Sequence, residues 1–113
     1  MVLIGGDLNA VARVEAACVV SGRVLRRADP DRLAETPTGP IALVLVDLDE
    51  APSAPEQLRE AGLLSPTSPP VVGFFSHVDT EVGRRAAAAG IRAVPRGRFW
   101  RELQDTIAAL PHE

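Results

Sequence analysis

Acidic, hydroxyl and cationic side chains follow four short apolar runs in this 113-residue sequence. Asp7 follows the first run, Asp47 and Asp49 a later one, and Ser76 and Arg96 two more. Carboxylates bind hard cations such as Mg²⁺, whereas hydroxyl and guanidinium groups hydrogen-bond anionic oxygens. If the runs are parallel strands, their carboxyl ends meet at one edge of a sheet. The spacing therefore predicts a crevice that gathers these groups.

Five predicted strands supply that edge. The third, Ile41 to Val46, is an apolar run without alternation, which is typical of a central strand covered on both faces. The other four strands are predicted at Val2 to Ile4, Arg23 to Arg26, Val71 to Phe75 and Ile91 to Val94. Helical segments separate them, so the chain alternates strand and helix.

Five predicted helices fill the intervals. Asp7 or Asn9 can cap the first, and Ser53 opens a capping-box pattern before the third. The apolar side chains of the last helix recur at helical spacing. In chain order, the first helix is predicted after the glycine pair at residues 5 and 6, and the next three from Asp29 to Leu33, from Pro55 to Ala61 and from Thr80 to Ala89. The fifth carries Phe99, Leu103, Ile107 and Leu110 on one face.

Strict alternation of strands and helices predicts a parallel sheet with helices on both faces, joined by right-handed crossovers. Five units in this length suit a three-layer, doubly wound, flavodoxin-like α/β fold with strand order 2-1-3-4-5. We expect one domain over residues 1–113. Its ligand crevice should lie at the carboxyl ends of strands 1 and 3.

The polar residues at these strand ends resemble the receiver domains of response regulators. In that family, two acids after strand 1 and an aspartate ending strand 3 bind Mg²⁺, and the strand 3 aspartate accepts a phosphoryl group. The resemblance implies that Asp47 occupies the phosphoacceptor position and that Ser76 and Arg96 line the phosphoryl pocket. It also makes Asp7, Asp47 and Asp49 candidate ligands for weakly bound Mg²⁺, the one cofactor to consider.

The sequence departs from the receiver pattern at three places. Gly6 stands where the family has its first acid, which removes one oxygen ligand. The family's lysine after strand 5 is missing, since all twelve basic residues are arginine, and Arg96 is the nearest replacement. A long strand 4 leaves open whether Ser76 or Phe75 takes the hydroxyl position. We therefore expect a pseudo-receiver in which Arg96 pairs with Asp47 beside Asp7, and phosphorylation is absent or reduced.

The same residues have purely structural interpretations. Asp7 can be a helix cap, Asp47 and Asp49 turn residues at a strand end, and Ser76 a loop hydroxyl. Three functions remain open: a stand-alone receiver-like signalling module that acts by protein contact and is not an enzyme, a working phosphoacceptor that uses Asp47, and a small phosphatase or phosphotransferase. The third lacks the downstream lysine and acidic pair that dehalogenase-type phosphatases need.

Six arginines and no acid lie between Arg84 and Arg101. The predicted surface of the fourth helix, fifth strand and fifth helix therefore carries positive charge, and it resembles the docking face of receivers. Arginine and tryptophan are enriched at interface hot spots. We expect self-association or partner docking there, against the alternative of a solvated arginine surface. The residues concerned are Arg84, Arg85, Arg98, Trp100 and Arg101.

Composition excludes several other classes. The net charge of −3 gives no reason to expect nucleic-acid binding. The longest apolar run is far shorter than the roughly 20 residues of a membrane span, and residues 2–4 resemble a strand better than a signal sequence. We therefore expect no membrane contact and a cytoplasmic location. Cys18 is the only cysteine, which excludes an internal disulfide.

Overall fold

The computed structural model describes residues 1–29, 41–76 and 80–110. Its five strands form one parallel sheet in the order β2-β1-β3-β4-β5, which confirms the predicted fold class and strand order. In chain order the elements are β1 (Val2–Ile4), α1 (Leu8–Val20), β2 (Arg26–Ala28), β3 (Val44–Asp47), α2 (Ala54–Glu60), β4 (Val71–Phe75), α3 (Thr80–Ala89), β5 (Arg92–Pro95) and α4 (Arg96–Ala108).

Helices cover both faces of the sheet, so the fold has three layers and is flavodoxin-like. Successive strand residues point to opposite faces. Leu45 and Phe74 pack with α1 and α4, whereas Val46 and Phe75 pack with α2 and α3. Both clusters are apolar because a central parallel strand meets a helix on each side. Among the described residues, no helix is long and apolar enough to cross a membrane.

The predicted second strand is wrong by about three residues. Gly22 has a positive φ of 68°, and the Arg23 N–H donates to the Cys18 carbonyl oxygen at 2.8 Å. This six-to-one bond closes α1 in a Schellman motif. Arg23 therefore belongs to the helix end, and β2 starts only at Arg26, whose N–H donates to the Met1 carbonyl oxygen at 2.9 Å. The predicted helix from Asp29 to Leu33 lies almost entirely outside the described residues.

Other boundaries shift at element ends. The third strand begins at Val44 instead of Ile41, and the fifth is displaced by one residue to Arg92–Pro95. The capping box is also wrong: Ser53 makes no side-chain capping bond, and Glu56 accepts a hydrogen bond from Arg85 instead. By contrast, Asp7 caps α1 as predicted, because its Oδ1 accepts the Ala10 N–H at 2.7 Å.

Candidate functional site

The chain turns from β5 directly into α4 at the carboxyl edge of the sheet. Asp47 is the last residue of β3, and its Cα is in register with that of Phe74 on β4. Pro95 ends β5, and Arg96 opens α4 without an intervening loop. Since parallel strands end on one side, this junction brings the Arg96 side chain over the end of β3.

Arg96 binds two carboxylates at once. Its Nη2 donates to both oxygens of Asp47, at 3.0 and 2.8 Å, and its Nε donates to Oδ2 of Asp49 at 3.0 Å. The predicted pairing of Arg96 with Asp47 is thereby confirmed. The planar fork of a guanidinium suits this arrangement, whereas the single ammonium of a lysine lacks two donors fixed in one plane. We call Arg96, Asp47 and Asp49 the arginine clamp.

Asp47 lies fully inside the protein. Its side chain is 0% exposed, and it is the one polar or charged residue that is buried in the described part of the chain. Its Oδ1 also accepts the backbone N–H groups of Asp49 at 3.1 Å and Glu50 at 3.4 Å. A buried carboxylate needs such partners, because leaving it unpaired costs several kcal/mol. The turn after β3 and the start of α4 both supply them.

Burial and pairing act in opposite directions on the clamp. Loss of hydration raises the pKa of Asp47, and this outweighs the lowering by the charge and hydrogen bonds of Arg96 and by the two backbone donors. For Arg96, burial lowers the pKa, but hydrogen bonds and charge from Asp49 and Asp47 outweigh it, so the pKa of Arg96 is raised. Arg96 therefore keeps its charge at neutral pH.

Asp49 joins the clamp to the next strand. Its two oxygens accept the Ser76 backbone N–H at 3.1 and 3.0 Å, directly after β4 ends. On the other side, the guanidinium carbon of Arg96 lies 5.1 Å from the ring centre of Phe74, within cation–π range. The role of Phe74 was missed from the sequence. Only its register opposite Asp47 places it under the arginine.

The strand 4 alternatives are placed as follows. Phe75 is the last residue of β4 and is buried, and a Cβ added at Gly83 would come within 2.5 Å of its ring. It therefore points into the α2–α3 side of the sheet, away from the clamp. Ser76 is the first residue after the strand, and it contributes its backbone N–H to Asp49.

The described residues do not fit a resident Mg²⁺ ion. They contain no group of three or more His, Cys, Asp or Glu side chains arranged to hold a metal. Asp7 is exposed and caps α1, while both Asp47 oxygens already accept from a guanidinium. Gly6 has a φ of 101°, a conformation that an acidic residue there would adopt only with strain. The position of the family's first acid therefore has neither the ligand nor a backbone suited to it.

A cleft opens on the other side of the β3 end. It has a volume of about 640 Å³ and is lined by Gly5, Arg27, Ala28, Asp29 and Glu50. Arg27 Nη2 donates to the Gly5 carbonyl oxygen at 2.9 Å. The cleft lies at the carboxyl ends of β1 and β2 and at the turn after β3. It is therefore displaced toward β2 from the predicted crevice, and none of the predicted site residues is among those that line it.

The predicted arginine surface is divided between the two faces of the sheet. Arg84 pairs with Glu81, and Arg85 pairs with Glu56 of α2 at 2.7 Å. On α4, Arg98 pairs with Glu102 at 3.0 Å. Glu81 and Glu102 lie just outside the acid-free stretch, whereas Glu56 lies 29 residues before Arg85. Folding and local pairing therefore place acids beside arginines of a segment that contains no acid.

Trp100 turns away from these arginines. Its ring contacts Phe99 edge to face at 4.9 Å, and the guanidinium carbon of Arg13 on α1 lies 5.1 Å from its centre. Arg101 is exposed on α4. Trp100 therefore belongs to the α1–α4 side of the molecule, whereas Arg84 and Arg85 belong to the α2–α3 side.

Comparison of the chain with protein-family models, with curated proteins and with solved structures found no match.

Proposed function

We propose that the protein is a stand-alone receiver-like signalling module that acts in the cytoplasm by protein contact, and that the arginine clamp replaces aspartyl phosphorylation. The observation that carries this proposal is the state of Asp47. Its carboxylate is 0% exposed and accepts four hydrogen bonds, two of them from Arg96. A group so enclosed is a structural anchor between the end of β3 and the start of α4.

Phosphoryl transfer to Asp47 would require a different environment. The attacking oxygen must reach a donor phosphorus in line, and a cation must neutralise the charge on the equatorial oxygens. In the clamp, the nearest cation is bound to the nucleophile itself and to Asp49. The receiver arrangement instead needs its cation free to contact the incoming phosphoryl group. Arg96 would have to leave Asp47 and expose it before any transfer.

The phosphoacceptor and phosphatase alternatives both need a reactive Asp47. For a phosphatase, Asp49 is not free to act as an acid beside Asp47, because Arg96 and Ser76 hold its carboxylate. We therefore propose a protein without enzymatic activity, in which a fixed conformation is presented to a partner.

Intact-mass spectrometry after incubation with a small acyl phosphate and Mg²⁺ tests the proposal. The wild type should gain no phosphoryl group. Asp47→Asn and Asp49→Asn serve as matched controls, because they remove one neighbouring carboxylate each. A phosphoryl adduct that forms in wild type and Asp49→Asn but not in Asp47→Asn would overturn the proposal and establish a working phosphoacceptor.

A further inference from the structure

The α1–α4 side of the molecule carries an apolar groove. It has a volume of about 400 Å³, and its walls include Ala16 and Val20 from α1 and Trp100, Leu103 and Gln104 from α4. Val20 is 78% exposed at the rim, and the neighbouring Val19 is 73% exposed. An exposed concave apolar surface often marks a protein contact, because a partner that covers it removes apolar area from water.

The outward stripe of α1 that lies between the exposed side chains of Arg13 and Glu15 bears no charge. Ala12, Ala16, Val19 and Val20 are all exposed and recur at helical spacing. A helix that only faces solvent normally has charged residues in this stripe. Small side chains also let a second helix approach closely, since the distance between packed helices depends on the side chains at the contact.

Trp100 and Arg13 form an anchor in the same groove. The arginine lies over the indole ring at 5.1 Å, which holds the ring in place before any partner arrives. Tryptophan and arginine are the residue types most enriched at interface hot spots. The groove therefore presents an ordered tryptophan ring next to solvent-exposed valine side chains.

The charges beside the groove match a copy of themselves. Arg101 and Asp105 are exposed on α4 and lie four residues apart, each about 160° around the helix from the buried Leu103. A two-fold axis that crosses the outward side of α4, level with residue 103, would make two α4 helices antiparallel. It would then set Arg101 of each copy opposite Asp105 of the other, because a two-fold contact is reciprocal.

We propose that this α1–α4 surface is the contact between two copies of the chain, which form a two-fold dimer. Each copy buries Val19, Val20 and the rim of the Trp100 groove, and reciprocal Arg101–Asp105 pairs set the register. The inference deepens the proposed function by naming the partner. It can fail independently, because its residues do not touch the arginine clamp and the phosphodonor experiment does not depend on assembly.

Sedimentation and tryptophan fluorescence across about 1 to 200 µM protein test the dimer. Trp100 is the only tryptophan, so its emission reports on this groove directly. We expect a dimer at the high end, and an emission maximum that moves to longer wavelength on dilution as the ring gains water. Both signals should give the same midpoint.

Two substitutions to arginine, one on α1 and one on α3, form a matched pair. Val20→Arg places a charge in the groove and should raise the dimer dissociation constant by about tenfold or more. Ala87→Arg places the same charge on an exposed alanine near the end of α3, on the opposite side of the sheet, and should leave the dimer unchanged. Each new charge lies at the helix end whose dipole favours it, so both variants should fold.

Charge reversal on α4 tests the register. Arg101→Asp and Asp105→Arg should each weaken the dimer, whereas the double variant should restore it, because every pair is then reversed together. A wild type that is monomeric throughout the range overturns the proposal and leaves the groove to another protein. A dimer that is unaffected by Val20→Arg, or is not restored in the double variant, overturns it as well.

Discussion

Arg96→Ala removes the cation of the clamp and leaves the Asp47 carboxylate buried. The carboxylate then keeps only the backbone donors of Asp49 and Glu50, at 3.1 and 3.4 Å. Asp49 is partly exposed and can be hydrated, so the loss of its ion pair with Arg96 lowers the free energy of unfolding only a little. The destabilisation therefore comes almost entirely from Asp47.

Two estimates bracket its size. Breaking a buried ion pair by removing one partner costs about 3 to 5 kcal/mol. Protonation limits the cost, because a carboxyl group with an ordinary pKa of 3.8 takes up a proton at pH 7 for roughly 4 kcal/mol. We expect Arg96→Ala to lower the free energy of unfolding by about 3 kcal/mol at pH 7.

The free energy of protonating Asp47 also predicts how the destabilisation by Arg96→Ala changes with pH. Without Arg96, the pKa of folded Asp47 rises further above its unfolded value. A carboxyl group of this kind contributes more favourably to stability as pH falls through its folded pKa. At about pH 4.5 the cost of protonation is only about 1 kcal/mol, so the difference between variant and wild type should shrink to about 1 kcal/mol.

Urea denaturation followed by circular dichroism at both pH values measures these differences. Asp47→Asn in the Arg96→Ala background removes the stranded charge and should recover about 2 kcal/mol at pH 7. Arg98→Ala is the control, because Arg98 is an exposed arginine of the same helix paired with Glu102, and should cost less than about 0.5 kcal/mol. A loss below about 1 kcal/mol for Arg96→Ala at pH 7, an equal loss at both pH values, or no recovery in the double variant would refute the reasoning.

Two further predictions concern glycines and metal. Gly83→Ala puts a Cβ within 2.5 Å of the Phe75 ring and should lower the free energy of unfolding by about 1 to 3 kcal/mol in the same denaturation experiment. In Gly97→Ala the added Cβ meets nothing within 4 Å, so this variant should be more stable by about 0.5 to 1 kcal/mol. Equal effects of the two substitutions would contradict the packing described. Calorimetric titration of the wild type with Mg²⁺ should show at most millimolar affinity. Gly6→Asp should lower the free energy of unfolding by about 1 kcal/mol without improving Mg²⁺ binding, because residue 6 has a positive φ. Micromolar affinity in either protein would show that the described residues do form a magnesium site.

The sequence alone determined the sheet and the residues at its carboxyl edge. Apolar runs separated by helical segments indicate a parallel sheet, and in the order 2-1-3-4-5 the ends of β3 and β5 lie on the same edge, one strand apart. The predicted pairing of Asp47 with Arg96 followed from that topology together with the resemblance to receiver domains, in which a lysine follows strand 5. The helix cap at Asp7 was equally local, because a capping side chain reaches only three residues ahead.

Tertiary structure decided where the charges act. The acid-free stretch from Arg84 to Arg101 indicated a positive surface, but Glu56 reaches Arg85 from 29 residues away, and such a contact has no signature in local spacing. Burial was likewise invisible in the local sequence: the position of Asp47 at a strand end suggested a reactive carboxylate, but its side chain is enclosed. Whether a side chain meets water, a helix or a distant acid depends on how layers pack, and packing is a property of the whole chain.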